Sequence, residues 1–432
     1  MGSHKVQQKT SAATGGRGMV GGVAAQGSQA LASFGLQLLA VRTLGLDGLG
    51  QFAILYGVIL LITAIVSGFV GDTLTVLDRH DSSIRFTLQL WCLGLSLGTG
   101  LCGAVVALAS GLLALSGAWI FGGAIIAFVL EDTVRRLLMA HLLFWKIVLV
   151  DLFGLVGALA ALGLAATAGP LGLTSFFAAL IWGQLAALAV GIALLPKSDR
   201  YLVVRARKFS PEVARYGIWR SLQQAVRPAL LTAVRVTVTL MAGLAATGHL
   251  EVARIYVAPI MLMVSGASSY LFAAFAREHA VPMKVLLRRA DRGVAVLTVV
   301  ALGAGIIAMA SLPSIGRLVA GQQPDAAAVL GWIAYATSVA AVTPYGALAA
   351  VRGKQAGVLG LRLADSVVSL LLAGTFVAFT AGYTLVPALM AVGSLLGGPL
   401  IRGLLIRPLL TSEIQSQAAV HYPRSRKVAH RA

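Results

Sequence analysis

Charge is what this sequence has least of. Only 11% of its 432 residues are Asp, Glu, Lys or Arg, against 58% hydrophobic residues and a mean hydropathy of +0.88. Soluble domains carry roughly a quarter charged residues, so a fold surrounded by water is excluded. Acidic residues are scarcer still, with 15 Asp and Glu against 34 Lys and Arg, a formal net charge of +19. In a soluble protein such an excess would point to nucleic acid. Here the cations lie in loops between apolar blocks, so they read as a topology signal and as attraction to anionic membrane lipids, and nucleic acid is not an expected partner. Two cysteines, Cys92 and Cys102, share one apolar stretch and read as packing residues. No G-x-x-x-x-G-K-[ST] phosphate loop occurs, and Gly353-Lys354 lacks its context, so the chain has no ATPase of that type. No His, Cys and carboxylate cluster has metal-ligand spacing, His279, His421 and His430 falling in loops or tail, so neither metal nor cofactor is expected. No extramembrane stretch is large enough for a glycosyltransferase site, and catalysis is not expected. Residues 1–17 are polar and basic, without the apolar stretch and cleavage site of a signal peptide.

What is present is a succession of apolar blocks of about 20 residues, the length that spans a hydrocarbon core. The spans fall at 18–41, 50–71, 86–109, 112–130, 147–167, 173–195, 221–245, 252–275, 293–312, 327–350, 358–381 and 384–406. With the N-terminus inside, 27 of the 34 Lys and Arg fall in cytoplasmic segments, five in spans and two, Arg42 and Arg317, outside. The positive-inside rule then predicts a multi-pass protein of a bacterial-type inner membrane with both termini cytoplasmic. The longest outer connection, 313–326, carries Pro313, Gly316, Gly321 and Pro324 and reads as a turn-rich surface loop. The sequence thus predicts an all-α polytopic membrane protein of about twelve transmembrane helices, in two pseudo-symmetric six-helix lobes around a central cationic cavity. Residues 1–195 form the first lobe, 196–220 a basic cytoplasmic linker, 221–406 the second lobe and 407–432 a basic cytoplasmic tail. Tyr201, Val203, Val204, Phe209, Val213 and Tyr216, interleaved with the linker's cations, fit either an amphipathic helix on the inner leaflet or a solvated segment.

Arg227 and Arg235 lie inside the seventh span, where a cation costs about 2.5–3.5 kcal/mol or more unless it faces a bundle interior or a water-filled cavity. Arg235 is close to the midplane. Arg227 lies two turns earlier, and Arg220 falls almost on Arg227's stripe, so the three form a cationic ladder from the cytoplasm to mid-membrane. A guanidinium binds phosphate oxygens bidentately, so such a ladder suits an anionic cargo; the plainer alternatives are pairing with an acid or snorkelling. Pro228 interrupts the same helix and is placed to bend it. Arg362 and Asp365, one turn apart, read as a local ion pair or as a coupling or gating site, and Asp151 likewise as a structural pair or a coupling group. Glu131 and Asp132, beside Arg135 and Arg136, read as interfacial charges. Arg42 and Arg254 read as an outer cation pair for headgroup release or as snorkelling residues, and Arg402 as a snorkelling anchor. Gln26, Gln29 and Gln37 on the first span suit sugar hydroxyls or helix–helix hydrogen bonds.

The halves repeat weakly. Residues 44–52 and 247–255 each join the first span of a half to the second at an offset of 203, with Gly45 and Gly248 as the clearest match. Six spans per half make the halves parallel, with cargo between them and alternating access by rocking. Within 39–53, Arg42, Leu44-Gly45 and Gly48-x-Gly50-x-Phe52 resemble the first outer loop of polysaccharide flippases, members of the multidrug/oligosaccharidyl-lipid/polysaccharide (MOP) exporter superfamily. The resemblance covers about 40 residues; the rest agrees in topology alone. It implies a V-shaped two-lobe transporter that moves a polyprenyl-(pyro)phosphate-linked oligosaccharide from inner to outer leaflet for cell-envelope polysaccharide. It also implies a lipid-linked glycan as substrate and envelope polymerases or glycosyltransferases as partners. The chain lacks the two additional C-terminal spans of peptidoglycan-precursor flippases, which lowers the standing of that cargo. Two other readings remain open: a cation-coupled multidrug exporter of the same superfamily, and a non-transporting membrane scaffold for envelope biosynthesis.

Overall fold

The computed structural model describes residues 3–78, 81–200, 209–277, 281–380 and 382–413. Among these the chain is helical throughout, with no strand. The first half contains α1 (Ser3–Thr43), α2 (Gly45–Val66), α3 (Asp72–Val76), α4 (Ser82–Ala109), α5 (Leu115–Ala140), α6 (Phe144–Ala168) and α7 (Leu173–Leu194). A π-helical turn at Ser67–Gly71 joins α2 to α3. The second half contains α8 (Pro211–Ala242), α9 (Leu244–Arg277), α10 (Met283–Ala320), α11 (Ala326–Val351), α12 (Gln355–Thr380) and α13 (Val386–Leu400), the last continued by a π turn at Ile401–Ile406. Among the described residues, eleven helical segments are long and apolar enough to cross a membrane; the twelfth expected span lies in α1. The protein is therefore an all-α polytopic membrane protein.

Helix limits follow local chemistry. The Asp81 carboxylate accepts from the Ser83 amide at 2.7 Å and caps α4; Asp325 does the same for α11 through Ala328 at 2.8 Å. Several helices outrun the apolar spans read from sequence. α8 begins at Pro211, so residues 211–220 of the expected linker are its first turns, with Val213 buried. Residues Tyr201, Val203, Val204, Arg205, Arg207 and Lys208, like the basic tail beyond Glu413, lie outside the described residues. The expected loop at 313–326 is a correction: α10 continues through Pro313 to Ala320, leaving only five residues, 321–325, between helices. A proline costs a helical bond, and a helix in apolar surroundings tolerates that cost when neighbours supply the freed groups.

The helices pack as two groups of six long helices, with α3 as an extra turn. One buried cluster centres on Phe52, Tyr56, Phe121 and Phe177, and another on Trp332, Tyr335 and Met390. The groups meet along α2, α8 and α9; the end where α1 turns into α2 and α8 into α9 is here termed the joint end, and the opposite end, where α7 stops and α8 starts, the linker end. Gly45 (φ +67°) makes the first joint and Gly243 (φ +90°) the second. Gly45 and Gly243 are 198 positions apart, as are Leu46 and Leu244, and Gly50 and Gly248. A Cβ on Gly50 would meet the Leu244 carbonyl oxygen, and a Cβ on Gly248 the Leu46 carbonyl oxygen. This reciprocal contact makes the repeat visible in three dimensions and shifts its register by five residues from the Gly45/Gly248 match. Gly248 is the counterpart of Gly50.

Candidate functional site

The arginines of α8 do not form one free ladder. Arg220 donates from Nε and Nη2 to Asp72 Oδ2, at 2.9 and 2.6 Å, and from Nη1 to Gln223 at 2.7 Å. Gln224 donates to the same oxygen at 3.2 Å, and Arg136 of α5 lies 3.5 Å from Asp72 Oδ1 and 3.7 Å from Asp132. The network ties α3 and α5 to α8 across the two halves at the linker end. Arg235 donates from Nε to Glu251 Oε1 at 2.6 Å, and Arg254 from Nε to Glu251 Oε2 at 2.6 Å. Arg254 also reaches Gln37 of α1. Glu251 is thus shared by two cations, and its side chain is 4% exposed. Sequence reading set Glu251 in the turn between spans; α9 begins at Leu244 and so takes it inside the helix.

Arg227 differs from its neighbours on α8. It is exposed, and among the described residues it makes no hydrogen bond or ion pair. Arg362 of α12, also exposed, lies within electrostatic range of Arg227 and Asp365. Arg362 turns towards α11, its Nη2 standing 3.3 Å from where a Cβ on Gly346 would be. Asp365 forms no ion pair with Arg362 within 4.0 Å; it accepts from the Ser369 and Ser394 hydroxyls at 3.4 and 3.2 Å. The local i,i+3 pair therefore gives way to two unneutralised guanidinium groups, one from α8 and one from α12.

Arg42 and Arg254, read as an outer pair, take different partners: Arg42 donates to the Leu318 carbonyl of α10, and Arg254 to Glu251 and Gln37. Arg402 is not simply an anchor, since it forms a bidentate pair with Asp291 at 3.1 and 3.1 Å.

The first lobe holds a recess of about 60 Å³ between α1, α2, α5, α6 and α7, whose polar lining is Gln29, Ser33, Tyr56, Glu131, Asp151 and Gln184. Asp151 accepts from Arg135 Nε at 3.2 Å and from Ser28, and Arg135 Nη2 donates to the Ala25 carbonyl at 2.7 Å. Glu131 is buried and, among the described residues, forms no hydrogen bond or ion pair. Glu131 and Asp132 are therefore not interfacial: α5 runs on to Ala140 and takes both inside. The signal available in sequence was Glu131 and Arg135 at i,i+4, the spacing of one helix face. The first lobe thus recesses two carboxylates, whereas the second exposes two arginines without a hydrogen-bonded acid partner among the described residues. Among the described residues, no group of three His, Cys, Asp or Glu side chains has the arrangement of a metal site.

Three solved structures resemble this one. An inward-facing multidrug resistance MATE family transporter of the MOP superfamily matches with a TM-score of 0.68 at 18% identity, over 90% of this chain and 96% of that one. An outward-facing MATE family transporter of the same superfamily gives 0.62 at 16% identity, over 92% and 96%. A MOP superfamily transporter from Pyrococcus furiosus, described as having a binding pocket of reverse polarity that suggests a different function, gives 0.59 at 16% identity, over 93% and 95%. No protein-family model matches the sequence, and no curated protein matches it. At these identities the likeness establishes the fold alone, an all-α two-lobe architecture like that of these transporters.

Proposed function

We propose that this chain is a flippase for an anionic glycolipid, a polyprenyl-(pyro)phosphate-linked oligosaccharide, moved across the membrane by alternating access. The observation that carries the reading is the pair of uncompensated arginines, Arg227 and Arg362, on membrane-spanning helices. An unpaired cation at that depth is costly, and a phosphate supplied by cargo offsets the cost with bidentate hydrogen bonds. Arg220, Arg235 and Arg254 already have acid partners, so their part is to hold the lobes rather than to meet the headgroup first. The glycan would occupy the space between lobes while the prenyl tail stays in the bilayer. Glu131 and Asp151 offer a seat for a coupling proton or monovalent cation in the first lobe, and Asp365 with its two serine hydroxyls another in the second. The charge bias implies that the linker end is cytoplasmic.

The test is native mass spectrometry of the purified protein with its co-purifying lipids, wild type beside an Arg227→Gln, Arg362→Gln double variant. A polyprenyl-phosphate glycolipid bound to wild type and lost from the variant is the expected result. Absence of such a lipid from wild type, or undiminished binding in the variant, overturns the assignment. A second reading, a cation-coupled exporter of cationic drugs, is favoured by one observation, the acidic recess. It expects drug efflux that is abolished by Glu131→Gln and unaffected by the arginine substitutions.

A further inference from the structure

A second cluster of charge lies away from the space between lobes, on the flank of the second lobe. There α10, α11 and α13 enclose a groove of about 750 Å³ lined by Asp291, Val294, Tyr345, Leu395, Arg402 and Arg407. Its depth in the membrane follows from charge spacing. On α10, residues 293–316 carry no charge. Those 24 residues rise about 36 Å, enough to cross a hydrocarbon core of about 30 Å. Asp291 and Arg292 therefore stand where α10 leaves the hydrocarbon. On α13, residues 386–401 are uncharged and Arg402 follows at once. The Asp291–Arg402 pair marks the hydrocarbon–headgroup boundary, and the groove straddles it.

We propose that this groove binds one membrane phospholipid with an anionic headgroup, its phosphate on Arg402 and Arg407 and an acyl chain along the apolar wall. Asp291 accepts from Arg402 Nε and Nη2, and Tyr345 donates to Asp291 at 2.7 Å, so the guanidinium is fixed in direction while its Nη1 edge faces away from the carboxylate. Arg407 is exposed and, among the described residues, its side chain makes no hydrogen bond or ion pair. In a regular α-helix five residues would turn it about 140° away from Arg402. The π turn at Ile401–Ile406 bonds i to i+5 and swings Arg407 back, so both arginines line one groove. The surrounding surface faces lipid: Leu395 is 52% exposed and Val296 54%. Two arginines against one carboxylate leave the groove cationic, which selects an anionic occupant. The chain beyond Glu413, with Arg424, Arg426, Lys427 and Arg431, is itself basic and does not complement it.

The inference is independent of the flippase reading, since the groove shares no residue with Arg227 or Arg362. The test titrates the purified full chain with phosphatidylglycerol or phosphatidylcholine and counts bound lipids by native mass spectrometry. Wild type binds its first phosphatidylglycerol about tenfold more tightly than phosphatidylcholine, about 1.4 kcal/mol. Arg407→Gln, which breaks no side-chain hydrogen bond or ion pair among the described residues, lowers that preference at least threefold at unchanged melting temperature, and Arg402→Gln, Arg407→Gln together abolish it. Phosphatidylcholine, whose phosphate is offset by its own cation, loses less affinity than phosphatidylglycerol in these variants, and Arg227→Gln leaves the preference intact. No preference in wild type, or a preference undiminished in both variants, overturns the site. A glycolipid adduct, distinct in mass, reports on the flippase reading separately.

Discussion

Two guanidinium groups share the Glu251 carboxylate, Arg235 on one oxygen and Arg254 on the other, each at 2.6 Å. Removing the acid and removing one cation are therefore unequal changes. Glu251→Gln leaves two partly buried cations facing each other without neutralisation, which costs up to about 3–5 kcal/mol. Arg235→Ala leaves Glu251 still bound to Arg254 and is expected to cost less than half of that. Thermal melting in one detergent checks the order: a lower melting temperature for Arg235→Ala than for Glu251→Gln would refute the sharing. Arg227→Gln, which breaks no hydrogen bond or ion pair, belongs with substitutions that change stability by about 0.5 kcal/mol or less, so its effect should appear in cargo binding alone. At this scale sequence exposed which residues were unusual but not which were paired. A cation in an apolar run is visible in one dimension. Its partner 16 residues away across a helix joint, or the 148 that separate Arg220 from Asp72, is not. The same blindness made Glu131 look interfacial.

Between elements the decisive contact is the approach of α2 to α9. Gly50 and Gly248 each face a backbone carbonyl of the other helix, and no side-chain motion can relieve a Cβ added there. Gly248→Ala must part the helices and is expected to cost about 1–3 kcal/mol, the usual penalty of overpacking. Gly303 of α10 is the matched control, because a Cβ there meets nothing within 4 Å. Gly303→Ala should be neutral or stabilising by up to about 1 kcal/mol, since alanine loses less backbone freedom in a helix. The melting curve should fall for Gly248→Ala and hold or rise for Gly303→Ala, and equal falls would contradict the close approach. The motif glycines were legible in sequence as glycines with a purpose, while the purpose divides: Gly45 turns the chain, and Gly50 with Gly248 admits a neighbour. The register of the repeat was not legible, because an offset of 198 or 203 pairs a glycine with a glycine in either case. Helix ends were misjudged where hydropathy stops before the helix does, as at Pro211 and Pro313.

Over the whole molecule the two halves touch unequally on their two sides. The α2–α8 side is engaged from the Asp72–Arg220 pair at the linker end, through the Ser221 hydroxyl on the Ile65 carbonyl at 2.8 Å, to Gly57 against Arg235. On the other side, among the described residues, the polar contacts that α1 makes with the second half are Gln37 with Arg254 and Arg42 with Leu318, both near the joint end. A rocking motion that opens the joint end must break these two, whereas one that keeps the α2–α8 seam as its pivot need not disturb Asp72. That asymmetry gives the last test. In a background with Cys92 and Cys102 replaced by alanine, Gln37→Cys and Arg254→Cys joined by a short bifunctional thiol reagent should arrest delivery of glycan to the outer surface, and a reducible reagent should restore it on reduction. The same reagent applied to either single variant should have no effect. Delivery that continues through the cross-link would mean that α1 and α9 never part, and the cycle would then have to open along the α2–α8 seam, through the very ion pair that now binds it.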